Sequence, residues 1–128
     1  MLGPTEVAVR AIVYVEDVAA SLAFYERVVG LERDHLDEDG SYGELKAGIG
    51  FAATWQAERH LDQPFRRNER DGIPFGFELD FAVDDVDAVF RRAIEAGAAP
   101  VWEPQEKPWG RAAMFRDPDG VLVHVTRA

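Results

Sequence analysis

Three histidines and no cysteine set the chemistry that this 128-residue chain can carry. Without thiols, disulfides, thiolate nucleophiles and cysteine-ligated zinc or iron–sulfur sites are excluded. Carboxylates and imidazoles remain for acid/base work or for a metal, and aromatic rings for a planar ligand. His124 has the most unusual setting, inside the apolar alternation Val121-Leu-Val-His-Val125, directly after Asp117-Pro-Asp-Gly120. Glu78 and Asp80 occupy similar text, Phe77-Glu-Leu-Asp-Phe-Ala-Val83, and Arg10 and Tyr14 lie in Val7-Ala-Val-Arg-Ala-Ile-Val-Tyr-Val15. Trp109, in Lys107-Pro-Trp-Gly110, reads as the rim of a planar-ligand site. His35 and His60 read as surface residues, and Trp55 and Phe65 as caps on the core. A phosphate-binding glycine loop, a nucleophile elbow and an HExxH zinc motif are all missing from the sequence.

These residues need strands to position them. Val7–Val15 is rich in β-branched residues, and its period of two puts Arg10, Ile12 and Tyr14 on one face. Glu16-Asp17 supplies a carboxylate N-cap. Val18, Leu22, Tyr25 and Val29 then form a helical stripe that Gly30 stops. The same grammar returns in Phe77–Val83, where Glu78 and Asp80 share a face. Asp84-Asp85 caps a second helix with the stripe Val86, Val89, Phe90, Ala93 and Ile94, stopped by Gly97. Val15-Glu-Asp-Val18 and Val83-Asp-Asp-Val86 lie 68 positions apart and the stop glycines 67, so the chain is an internal repeat. Each helix is followed by three strand segments, Glu32–Leu36, Tyr42–Lys46 and Ile49–Trp55, then Pro100–Glu103, Ala112–Arg116 and Val121–Thr126. Pro104–Gly110 reads as a loop and Asp117–Gly120 as a type I turn. The sequence therefore predicts one domain over 1–128: module one at about 7–55, a polar connector at about 56–74, and module two at about 75–127.

A twofold β-α-β-β-β repeat with VYVEDVAASLAFYERVVGL and a DPDG turn before the last strand resembles the vicinal oxygen chelate superfamily. That group holds the glyoxalases, bleomycin-resistance proteins and extradiol dioxygenases. The resemblance covers Val7 to Arg127. It implies an α+β fold of two modules whose curved sheets surround a cavity, with helices outside, paired within a chain or across a dimer. The family's metal ligands fall at set strand positions. By resemblance these are Arg10 and Glu78 on the first strands and His124 on the last strand of module two. Module one offers Ala52 or Thr54, depending on whether Gly48 or Gly50 is the turn glycine.

The donor set implied is poor for a metal. Glu78 and His124 can ligate, but a guanidinium has no lone pair to give, so no cofactor is favoured and a divalent ion is the lesser expectation. Arg10 and Glu78 form a buried ion pair on one reading. On another, Glu78, Asp80 and His124 make a polar patch for a ligand or an acid/base pair. The net charge of −10 argues against nucleic acid and anionic membrane as partners. No apolar run approaches the ~20 residues of a spanning helix, so a cytoplasmic location is expected, and the resemblance implies a homodimer. The functional expectation is a metal-free protein of the glyoxalase/bleomycin-resistance type that sequesters an aromatic or cationic small molecule through Arg10, Tyr14, Glu78, Asp80, Trp109 and His124. The alternative is a lyase, isomerase or dioxygenase acting through Glu78 and His124.

Overall fold

A computed structural model describes residues 2–128. Strand β1 (Ala11–Val15) leads into helix α1 (Val18–Val29), then strands β2 (Arg33–Leu36), β3 (Tyr42–Leu45) and β4 (Ile49–Ala53). A short helix α2 (Thr54–His60) opens the connection to module two. That module comprises β5 (Glu78–Val83), α3 (Val86–Glu95), β6 (Ala99–Lys107), β7 (Gly110–Arg116) and β8 (Leu122–Arg127). The two four-stranded sheets have matching orders, β1-β4-β3-β2 and β5-β8-β7-β6. In each, the first and last strands run parallel and the others antiparallel. The fold is α+β, as expected, and its sheets are open rather than closed.

The helices begin where their carboxylate caps dictate. Asp17 accepts from the Ala20 amide at 3.0 Å, and Asp85 from the Ala88 amide at 3.0 Å. Gly30 ends α1 in the left-handed region, φ 85°. Val18, Ser21, Leu22, Phe24, Tyr25 and Val28 are the buried face of α1, so Val28 takes the inner place expected of Val29. The apolar faces of both sheets meet these helices. Tyr25 stacks on Phe51 of β4 at 5.4 Å and reaches Phe81 of β5 at 5.9 Å, while Phe24 and Phe90 meet Phe115 of β7 edge-on. Arg92 of α3 donates twice to the Val28 carbonyl at the end of α1, at 3.0 and 3.2 Å. One core therefore holds both modules.

Three boundaries differ from the sequence reading. Strand β1 starts at Ala11, because its only partner, β4, begins pairing at Ile49; Val7 and Val9 are left exposed. Strand β4 stops at Ala53, and the next seven residues form α2, which the connector was not expected to contain. Trp55 and Arg59, one turn apart on the same helix face, meet with the guanidinium 5.3 Å from the indole. Strand β6 continues to Lys107, and Lys107 pairs with Gly110 across a two-residue turn. Prolines 100 and 104 are tolerated because β6 is an edge strand with pairing shifts on both sides of Trp102.

Candidate functional site

One transverse row across the second sheet carries the chemistry. The registers place Asp80 of β5 opposite His124 of β8, His124 opposite Met114 of β7, and Met114 opposite Trp102 of β6. Val121, Val123 and Val125 are buried on the helix side. His124 projects to the other face, yet it is only 8 % exposed. Two indoles cover it: Trp102, with ring centroids 5.8 Å apart, and Trp109 from the β6–β7 turn, at 6.0 Å with its plane tilted by 65°. Lys107 Nζ lies 4.5 Å from the centre of the Trp102 ring. His124 Nδ1 lies 3.1 Å from Asp80 Oδ1, and Nε2 is buried with no hydrogen-bond partner among the described residues.

The sequence-predicted residues divide between two sheets. Asp80, His124 and Trp109 come together. Glu78 stays on their sheet face but pairs in register with Leu122, one step along from the imidazole, and is exposed. The expected Arg10–Glu78 pair does not form. Arg10, just outside β1, places Nε 2.8 Å from Glu44 Oε1, because Glu44 on β3 is the carboxylate its own sheet offers. Tyr14 meets Phe65 edge-on at 5.2 Å, and its carbonyl accepts from Asn68 Nδ2 at 2.9 Å, so the connector covers it. Trp55 is largely exposed and Phe65 half-buried on Tyr14, so neither caps the core. His35 and His60 are exposed, as expected.

Module one fills the place of His124 differently. Ile12 pairs with Gly50 where Asp80 pairs with His124, so Gly50, and neither Ala52 nor Thr54, is the counterpart. Thr54 is already in α2. A Cβ at Gly50 would stand 2.3 Å from the Tyr42 hydroxyl, which occupies that space and donates to Glu44 Oε1 at 2.6 Å. Burial, then the Glu44 carboxylate, pushes the Tyr42 phenol up to about 12.

A divalent metal does not fit this donor set. Among the described residues no three histidine or carboxylate side chains converge. His124 Nε2 is free to ligate, but Arg10 has no lone pair to give, Gly50 has no side chain, and Glu78 lies one step along the sheet.

A concavity of about 440 Å³ lies apart from this row, on the helix side among Phe24, Tyr25, Asp117 and Asp119. The more deeply placed of its polar groups are already matched. Tyr25 Oη donates to Asp117 Oδ2 at 2.5 Å and Ser21 Oγ to Asp119 Oδ2 at 3.0 Å. Asp117 Oδ1 also accepts the Asp119 and Val121 amides, closing the DPDG turn. Burial pushes the Asp117 carboxyl up to about 6, only partly opposed by the Tyr25 hydroxyl. This is the structural role of the turn.

Trp102, Met114 and Lys107 were not singled out by the sequence reading. Treating Pro104–Gly110 as a loop hid the hairpin register that brings Trp102 and Trp109 to one imidazole. The tight pair Pro108-Trp109 between strand-like flanks was the signal available.

Two open four-stranded sheets built from repeated β-α-β-β-β modules are the architecture that the vicinal oxygen chelate resemblance implied. A sequence model of the Glyoxalase/Bleomycin resistance protein/Dioxygenase superfamily matches residues 7–125, and the chain belongs to that superfamily. It is 31% identical over 118 residues to the anthracycline biosynthesis protein DnrV of Streptomyces peucetius, covering 87% of this chain and 43% of that protein. The chain thus spans less than half the length of that relative. Among solved structures, a glyoxalase/bleomycin resistance protein/dioxygenase family enzyme from Burkholderia phytofirmans PsJN superposes with TM-score 0.69 at 26% identity, covering 91% of this chain and 94% of that one. A glyoxalase-related enzyme from Fulvimarina pelagi superposes with TM-score 0.79 at 18% identity, covering 97% and 88%.

Proposed function

We propose that this protein binds a planar aromatic small molecule, without a metal, on the outer face of the second sheet. The observation that carries the reading is His124, a buried imidazole with one nitrogen held by Asp80, the other unpartnered, and two indoles against its ring. Aromatic faces and edges give a flat ligand contact area, and the few polar atoms orient it. Lys107 already lies over Trp102, which favours an aromatic ligand over a cationic one. Glu78 lines the same face further out, and Arg10 and Tyr14, on the first sheet, are placed to contribute only if a second surface closes over the site. A homodimer supplies such a surface. DnrV, with more than twice the matched length, has room for two such units in one chain.

A second reading keeps the same geometry. An imidazole oriented by a carboxylate is the arrangement of a general base, so the site also suits proton abstraction from a bound substrate. Here Asp80 takes the partner role expected of Glu78.

Calorimetric titration with planar polycyclic aromatics tests the reading. Saturable binding that falls at least about tenfold in Trp102→Ala and Trp109→Ala is expected. Binding unaltered by both substitutions contradicts it. Stoichiometric metal in the purified protein, lost on His124→Ala, contradicts the metal-free part.

A further inference from the structure

Resting on the aromatic site just proposed, we infer that its ligand carries a hydroxyl group on the edge of the planar ring and donates it to Nε2 of His124. The two ring nitrogens are not equivalent. An ionised carboxylate is an acceptor only, so the hydrogen in the 3.1 Å Nδ1···Oδ1 contact belongs to the imidazole. In the neutral ring Nε2 then presents a lone pair and needs a donor. It has none among the described residues, although it is buried beneath two indoles. A buried acceptor without a donor is destabilising relative to a satisfied one, and that cost lapses when a ligand supplies the hydrogen.

The neighbours narrow the donor. Trp102 NH, Trp109 NH and the Lys107 ammonium are the nearby side-chain donors, and none of them reaches Nε2. A cationic donor meets Lys107, whose ammonium already stands over the Trp102 face. Trp109 is 59 % exposed on a two-residue turn, so the imidazole is approached from the solvent side past a single solvent-facing indole. An aromatic hydroxyl meets each condition: it is flat, neutral and a strong donor.

The experiment compares 2-naphthol with 2-methoxynaphthalene by titration calorimetry. The ether has the same ring and more apolar surface but no hydrogen to give. Wild-type protein is expected to bind the naphthol roughly tenfold more tightly, the value of one net hydrogen bond. In His124→Phe, which keeps a ring beneath the indoles, the preference is expected to fall below about twofold with the ether's affinity retained. Asp80→Asn, a substitution at an exposed side chain, frees the ring to place its hydrogen on Nε2 and is expected to shrink the preference also. Equal binding of both probes to wild-type protein, weakened by Trp102→Ala, overturns the hydroxyl inference and leaves the aromatic site standing. Binding of neither probe overturns both.

Discussion

Two positions set the residue-scale behaviour of this protein away from the ligand face. Asp117 is 2 % exposed, and burial raises its carboxyl to about 6 from an ordinary value of 3.8. The folded state therefore holds a proton more tightly than the unfolded chain, so this group's contribution is full below pH 4 and declines as pH rises to about 6. Denaturant titrations across that window should show a loss on the order of 3 kcal/mol from this group, absent in Asp117→Asn. A wild-type curve whose slope across the window survives the substitution unchanged would refute it. The second is Gly50, beneath the Tyr42 hydroxyl. Gly50→Ala should cost about 1–3 kcal/mol by displacing that hydroxyl from Glu44. Tyr42→Phe in the same chain should recover part of the loss, a coupling that a double-mutant cycle reads directly.

Elements were legible where local chemistry decides them. The repeat offset, the Asp17 and Asp85 caps, the glycine stop after α1 and the valine face of β8 all follow from short-range rules, and the structure carries each of them. The caps make a symmetric prediction: Asp17→Ala and Asp85→Ala should each lower the unfolding free energy by about 1 kcal/mol, measured from the denaturant midpoint. What long-range pairing decides was not legible. Arg10 shares the ligand position of Glu78 in the repeat, yet its partner comes from β3, two strands away in its own sheet. Trp102 entered the site only because an edge strand runs through two prolines and closes a tight hairpin. His124 was found from its sequence setting, but its orientation by Asp80 rather than Glu78 needed the β5–β8 register.

The molecule as a whole is two sheets sharing one core. Tyr25 touches Phe51 of one sheet and Phe81 of the other and bonds the turn before β8, so the modules should unfold together. Near- and far-ultraviolet circular dichroism should give coincident transitions, and Tyr25→Ala should cost about 3–5 kcal/mol while keeping a single transition. Separate transitions would show that the modules are independent. The central claim, that ligands dock on the polar face of the second sheet, is tested most directly by amide and side-chain shift mapping of the protein titrated with 2-naphthol. The largest changes should cluster at Asp80, Trp102, Trp109, Met114 and His124. Changes centred instead on Phe24, Tyr25, Asp117 and Asp119, around the helix-side concavity, would contradict the account.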